Sequence, residues 1–183
     1  MRESSGFSLL ELLIVLAIIL VVAAIAIPSL VRSRIAANEA SAVGSLRTLT
    51  TSEITYKTTY PNAGFTCVLS ALGPPSSGTS ATSAAAGLID SNLAGGTKSG
   101  YAFTPGTCNA AGGVTVDYQW KAAPQAAAIT GLRYFCTDAS GVIRFNTSSA
   151  SACLTSGTPI SIVVHGRTGK SIESSSPSTT VSP

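Results

Sequence analysis

Residues 7–27 read FSLLELLIVLAIILVVAAIAI and carry one charge, Glu11. A helix of this length spans the ~30 Å hydrocarbon core of a bilayer at ~1.5 Å rise per residue. It satisfies its own backbone polar groups, so it can cross lipid. A buried helix of a soluble domain seldom stays apolar on every face for so long. A secretory signal peptide is the nearer rival, with Ala23, Ala24 and Ala26 as a mock cleavage site. Its apolar run is shorter, however, and is not interrupted near its start by an acid.

Glu11 constrains the reading further. A carboxylate at a helix centre in lipid costs ~2.5–3.5 kcal/mol even on the lenient insertion scale. The cost is lower near the helix start, but the group still needs a partner. The apolar block holds no Lys, Arg or His. A free α-amino group on Phe7, made by a cut after Gly6, would stand one helical turn from Glu11. The same amine on a neighbouring chain is an equal alternative. In that arrangement the pair would set the axial register of packed helices.

Gly6-Phe7-Ser8-Leu9-Leu10-Glu11, behind the short leader Met1–Ser5 and fused to the apolar run, resembles the start of type IV prepilins and pseudopilins. The resemblance implies cleavage between Gly6 and Phe7 by a prepilin peptidase and methylation of the new Phe7 amine. It assigns Glu11 to assembly, attracting that amine on an adjacent subunit. The implied product is a homo-oligomeric helical filament, built with an assembly ATPase and an inner-membrane platform. Its precursor would sit in the inner membrane, with membrane lipid around its helix and its head on the periplasmic side. The implied role is a structural subunit of a type IV pilus, not an enzyme. A pseudopilin of a type II secretion system and a minor pilin share this N-terminus. Arg32 and Arg34 follow the apolar block, and charge counting favours placing that end in the cytoplasm, whereas the resemblance places it outside.

The expected organisation is a leader over 1–6, a transmembrane part over 7–29, an amphipathic half-helix over 30–60, a head over 61–170 and a flexible tail over 171–183. Pro28 should kink the helix or loosen a turn near the membrane surface. Beyond it, Ala42, Leu46, Leu49, Tyr56 and Tyr60 form an apolar stripe that includes Glu53, with Arg32, Arg34, Glu39, Arg47 and Lys57 mostly off it. Pro61-Asn62-Ala63-Gly64 ends the helix. A stretch rich in Gly, Pro, Ser and Thr follows at 73–100, with a short helix expected around 84–93. Strands are expected over 101–104, 114–121, 130–137, 142–146 and 160–165. Val114, Val116, Tyr118 and Trp120 alternate with polar residues, the signature of a half-buried antiparallel strand. The fold class is therefore α+β, a long N-terminal helix packed against an antiparallel sheet, which resembles the pilin fold.

Cys67, Cys108, Cys136 and Cys153 show no metal-ligand spacing. Four cysteines allow three pairings. Sequence-near pairs, Cys67–Cys108 and Cys136–Cys153, are the simplest, and pilins commonly clip a C-terminal loop in this way. The alternative leaves one pair as buried thiols. No metal or other cofactor is expected, since Asp138 offers one carboxylate where calcium needs 6–8 oxygens, and the lone His165 reads as an ordinary strand-end residue. Asn146-Thr147-Ser148 and the Ser/Thr-rich tail fit sugar acceptors. Only 10% of residues are charged and the net charge is +3, which argues against nucleic acid as a main partner and leaves few groups for catalysis.

Overall fold

The computed structural model describes residues 8–160. The leader, Gly6, Phe7, residues 161–165 of the expected last strand, His165 and the tail 171–183 lie outside the described residues.

Leu, Ile, Ala and Val side chains, with no glycine before Gly44, favour one long helix, and α1 runs from Leu9 to Thr59 without interruption. At ~1.5 Å per residue this rod is about 76 Å long. Glu11 stands in its first turn and Lys57 in its last, both with the sign that suits the helix dipole. Pro28 lies inside the helix, which continues through it. Tyr60 closes the rod through its N–H, bonded to the Tyr56 carbonyl.

The rod has two halves with different surroundings. Every residue from Leu9 to Val22 is exposed, and exposed large apolar side chains continue as far as Leu30 and Val31. From Ile35 onward one stripe is covered: Ile35, Glu39, Ala42, Ser45, Leu46, Leu49, Ser52, Glu53 and Tyr56. Glu39 corrects the expectation that it faces away. It lies three residues before Ala42, on the same face, and is only 5% exposed.

The cover is a six-stranded antiparallel sheet, α+β in class and pilin-like in layout. Its strands are β1 (Thr97–Lys98), β2 (Tyr101–Pro105), β5 (Gln119–Pro124), β6 (Tyr134–Asp138), β7 (Arg144–Asn146) and β8 (Thr158–Pro159), in the spatial order β1-β2-β5-β6-β7-β8. The register pairs Phe103 with Ala122, Trp120 with Thr137 and Phe135 with Phe145. Tyr101, Phe103, Trp120, Ala122 and Phe135 share one core with Ala42, Leu46, Leu49 and Tyr56 of α1. Between α1 and the sheet run two short helices, α2 (Leu69–Leu72) and α3 (Ser91–Ala94), whose Leu72 and Leu93 join that core.

Several local expectations give way to backbone bonding. The run 114–121 is not one strand. Val114–Thr115 (β4) pairs with Ala110–Ala111 (β3) in a separate hairpin, turned by Gly112 and Gly113 at φ +60° and +84°. Residues 116–118 lie outside any strand: the Val116 N–H bonds to the Asn109 carbonyl, Val116 is exposed, and Tyr118 is buried. The strand expected over 130–137 begins only at Tyr134, because the N–H groups of Leu132 and Arg133 bond to the Glu39 carboxylate instead of a ladder. The strand expected from Val142 begins at Arg144. The helix expected around 84–93 shrinks to Ser91–Ala94, capped by Asp90, while Ala86 and Leu88 bond to the carbonyls of Ala71 and Leu72. The last described strand is Thr158–Pro159, which precedes the residues expected to form a last strand over 160–165, and of these only Ile160 is described. An unforeseen helix, α4 (Ala150–Ser156), is capped by the Ser149 hydroxyl and buries Cys153.

Candidate assembly site

The exposed half of α1 is the feature that most needs a partner. Its most apolar stretch has a mean hydropathy of 3.2 and is not covered at all by the chain's own head. Leu20, Val21 and Ile25 are 69%, 66% and 74% exposed. An apolar surface of this extent is stable only in lipid or against other apolar surface. Glu11 is the single charge on it, with no cation among residues 9–31.

Pro28 has no N–H, so the Ala24 carbonyl lacks its usual helical donor. Above it, exposed hydroxyls turn back on the helix. Thr48, Thr51, Thr55 and Thr59 donate to the carbonyls of Gly44, Arg47, Thr51 and Thr55. This leaves their methyl groups outward on an otherwise polar half-helix.

Two carboxylates fix the head on the rod, and neither was singled out in the sequence as a clamp. Glu39 Oε1 accepts from the N–H groups of Leu132 and Arg133 at 2.9 and 3.1 Å, and Oε2 accepts from Arg133 Nε at 2.8 Å. Glu53 is fully buried and accepts from Thr66 N–H at 2.9 Å and from the Trp120 indole at 3.0 Å. Burial pushes the Glu53 carboxyl up to about 7, against the opposing effect of those two donors. The readable signal was position: both acids fall at helical spacing on the apolar stripe.

The cysteines are paired Cys67–Cys108 and Cys136–Cys153, with Cα separations of 6.3 and 5.9 Å. The first joins the segment before α2 to the one before β3. The second ties β6 to α4 and, through it, the end of the described chain. Asp138 is held by Arg144 and by the Ser140 hydroxyl, so its carboxylate is already satisfied. Asn146 ends β7 half-buried and accepts from the Ser148 N–H at 2.7 Å. Among the described residues no three His, Cys, Asp or Glu side chains cluster as metal ligands would.

Residues 1–27 match the family model for the prokaryotic N-terminal methylation motif, the signature of type IV pilins and pseudopilins. No curated protein and no solved structure matches the chain.

Proposed function

We propose that this chain is the structural subunit of a type IV pilus. It is made as an inner-membrane precursor, cut between Gly6 and Phe7 by a prepilin peptidase, methylated at the Phe7 amine, and stacked into a helical filament. The observation that carries this reading is Glu11, a lone carboxylate in the first turn of a rod whose apolar surface its own head leaves bare. No side chain among residues 9–31 offers that acid a counter-charge. Beside the Phe7 amine of a neighbour it gains one, in surroundings where an ion pair is strong.

Function then arises by transfer. Apolar helix surface leaves lipid and stays dry in a bundle of identical rods, each contact being head-to-tail and non-closing. The work comes from an assembly ATPase acting through the membrane platform. Pro28, with its freed Ala24 carbonyl, lets the rod bend or loosen a turn as it packs. The finished filament lies outside the cell, with heads forming its surface. The same N-terminal motif serves pseudopilins of secretion systems. The two disulfides favour an exposed surface fibre, since a head that must persist outside the cell gains from covalent clips.

The test is Glu11→Ala expressed in filament-forming cells beside the wild type. Sheared fibres should lose the variant subunit while the membrane fraction retains it. Wild-type yield of variant fibres overturns the proposal. Mass analysis of the mature wild-type terminus checks the pathway separately, and a methylated Phe7 is expected.

A further inference from the structure

The loop between β5 and β6 is built with more care than a connection needs. Ala128 holds φ +64°, a left-handed conformation that costs a non-glycine residue ~1–2 kcal/mol. The Ala128 N–H bonds to the Gly131 carbonyl, and the N–H groups of Ile129 and Thr130 bond to the Ala126 carbonyl. The Thr130 hydroxyl accepts from Ala126 N–H and donates to its carbonyl. Two ties join the loop to α1: Asn38 Nδ2 donates to the Thr130 carbonyl at 3.0 Å, and Glu39 receives Leu132 and Arg133. This strained and rigid frame presents apolar side chains to solvent. Ile129 is 70% exposed and Leu132 is 59% exposed, the two most exposed large apolar residues among the described residues of the head. Strain retained by dense bonding is characteristic of segments that bind something.

The loop's place identifies the occupant. Glu39 is near the first covered residue of α1, Ile35, so the loop forms the rim of the head nearest the apolar rod. Asn38 stands seven residues beyond Val31, about 10 Å along the axis. The headgroup layer is about 6 Å deep, and membrane helices tilt by about 20°, which lowers one side of a head carried beside the rod. Between the rod and the loop stand Arg32 and Arg34, both exposed. Neither residues 12–38 nor 125–132 contain an acid, and Glu39 at their border is paired with Arg133. A cationic collar and an apolar rim continuous with a membrane helix complement anionic lipid headgroups.

We propose that residues 126–132 are a foot by which the head rests on an anionic lipid surface while the chain is membrane-anchored, giving the tilt of the rod a fixed direction. The proposal rests on the membrane-anchored precursor described above. A second copy of the chain would contact this rim only after the rod had left lipid, so it is the losing alternative in the test.

The full chain is placed in vesicles of phosphatidylethanolamine and phosphatidylglycerol doped with a headgroup-nitroxide lipid. Ile129→Trp puts an indole on the foot, and the buried native Trp120 supplies a constant background. Val116→Trp puts one near Thr115, which bonds to the chain just past the far end of α1. Ile19→Trp with chain-brominated lipid reports insertion of the rod. The foot predicts quenching of the Ile129→Trp indole, none for Val116→Trp, and relief of the quenching when phosphatidylcholine replaces phosphatidylglycerol. Leu132→Trp should behave as Ile129→Trp does, which guards against one misfolded variant. If Ile19→Trp is quenched and the two loop variants are not, the foot is refuted and anchoring stands. Loop indoles that respond only on filament assembly likewise refute it in favour of a subunit contact. If Ile19→Trp is unquenched, anchoring itself fails and the foot with it.

Discussion

The Trp120 indole N–H donates to Glu53 Oε1 at 3.0 Å between β5 and α1, and neither side chain reaches solvent. The other carboxylate oxygen takes the Thr66 N–H. Both donors are neutral, so the acid holds rod, sheet and the start of the α1-to-sheet connection together without a counter-charge. Such an acid orients the elements well and ionises poorly.

That arrangement makes the head's stability depend on pH. The Glu53 carboxyl is raised from 4.5 to about 7 in the folded head. The folded state therefore keeps a proton that the unfolded chain releases between these values. Stability from this group is full below about pH 4.5 and falls as pH rises to about 7, by about 3 kcal/mol in all. Glu53→Gln cannot ionise and should flatten this slope. It should also be less stable than the wild type at pH 4.5, because its amide places a donor against a donor. Denaturant melts of the full chain in detergent at pH 4.5, 6 and 7.5 measure both effects. An unchanged slope in the variant would show that another group titrates.

Glu39 makes a different prediction, because its work is divided between backbone and side-chain donors. Glu39→Gln keeps an oxygen for the two N–H groups and loses the negative charge that faces the partly exposed Arg133, a loss of about 1 kcal/mol. Glu39→Ala also strands the N–H groups of Leu132 and Arg133, raising the loss to about 3 kcal/mol. Amide exchange at these two residues should accelerate strongly in the Ala variant and little in the Gln variant. Equal destabilisation by both changes would mean that the ion pair, not backbone capture, holds the loop.

The same loop sets a steric test. A Cβ on Gly131 would run into the Tyr101 hydroxyl, which donates to the Arg133 carbonyl at 2.8 Å. Gly131→Ala must displace that fully buried ring, at a cost of about 2–3 kcal/mol. Gly112 sits at φ +60° with nothing within 4 Å of a Cβ, so Gly112→Ala meets only backbone strain, about 1 kcal/mol. Thermal melts of the two variants should fall in that order, and the reverse order would place the tight contact elsewhere.

The long helix and the acid in its first turn were legible because unbroken apolar runs and 3.6-residue periodicity leave few other conformations. The sheet was legible as a sheet, but its bounds were not. Alternation over Val114 to Trp120 looked like one strand, yet Gly112-Gly113 turns Val114 into a local hairpin and the chain re-enters pairing at Gln119. The expected strand took in residues 130–133, but a carboxylate more than ninety residues earlier takes two of their donors. Side-chain capture of backbone groups over such a separation leaves no local pattern. Helix α4, ASACLTS, lacks an apolar stripe and depends on the Ser149 cap and the Cys153 bridge. Glu53 was visible as an acid at a stripe position, a signal that marks burial without naming the donors it meets, whereas Glu39 was placed off the stripe although its spacing of three from Ala42 puts it on the covered face.

The two disulfides should open by different routes. Cys67 and Cys108 are half-buried, whereas Cys136 of β6 and Cys153 of α4 are fully buried. A thiolate must reach sulfur to exchange with it, so the first bridge can be reduced in the folded head and the second requires local opening. Under mild thiol at pH 8, alkylation followed by peptide mass analysis should find Cys67 and Cys108 modified first. Modification of Cys136 and Cys153 should follow, at a rate that rises with denaturant as the opening equilibrium shifts. Loss of the second bridge should then lower stability by about 3 kcal/mol, the value set by closing a loop of this length in the unfolded chain. Simultaneous labelling of all four cysteines at a rate independent of thiol concentration would mean that the head opens as one unit, with neither bridge reachable from the folded state.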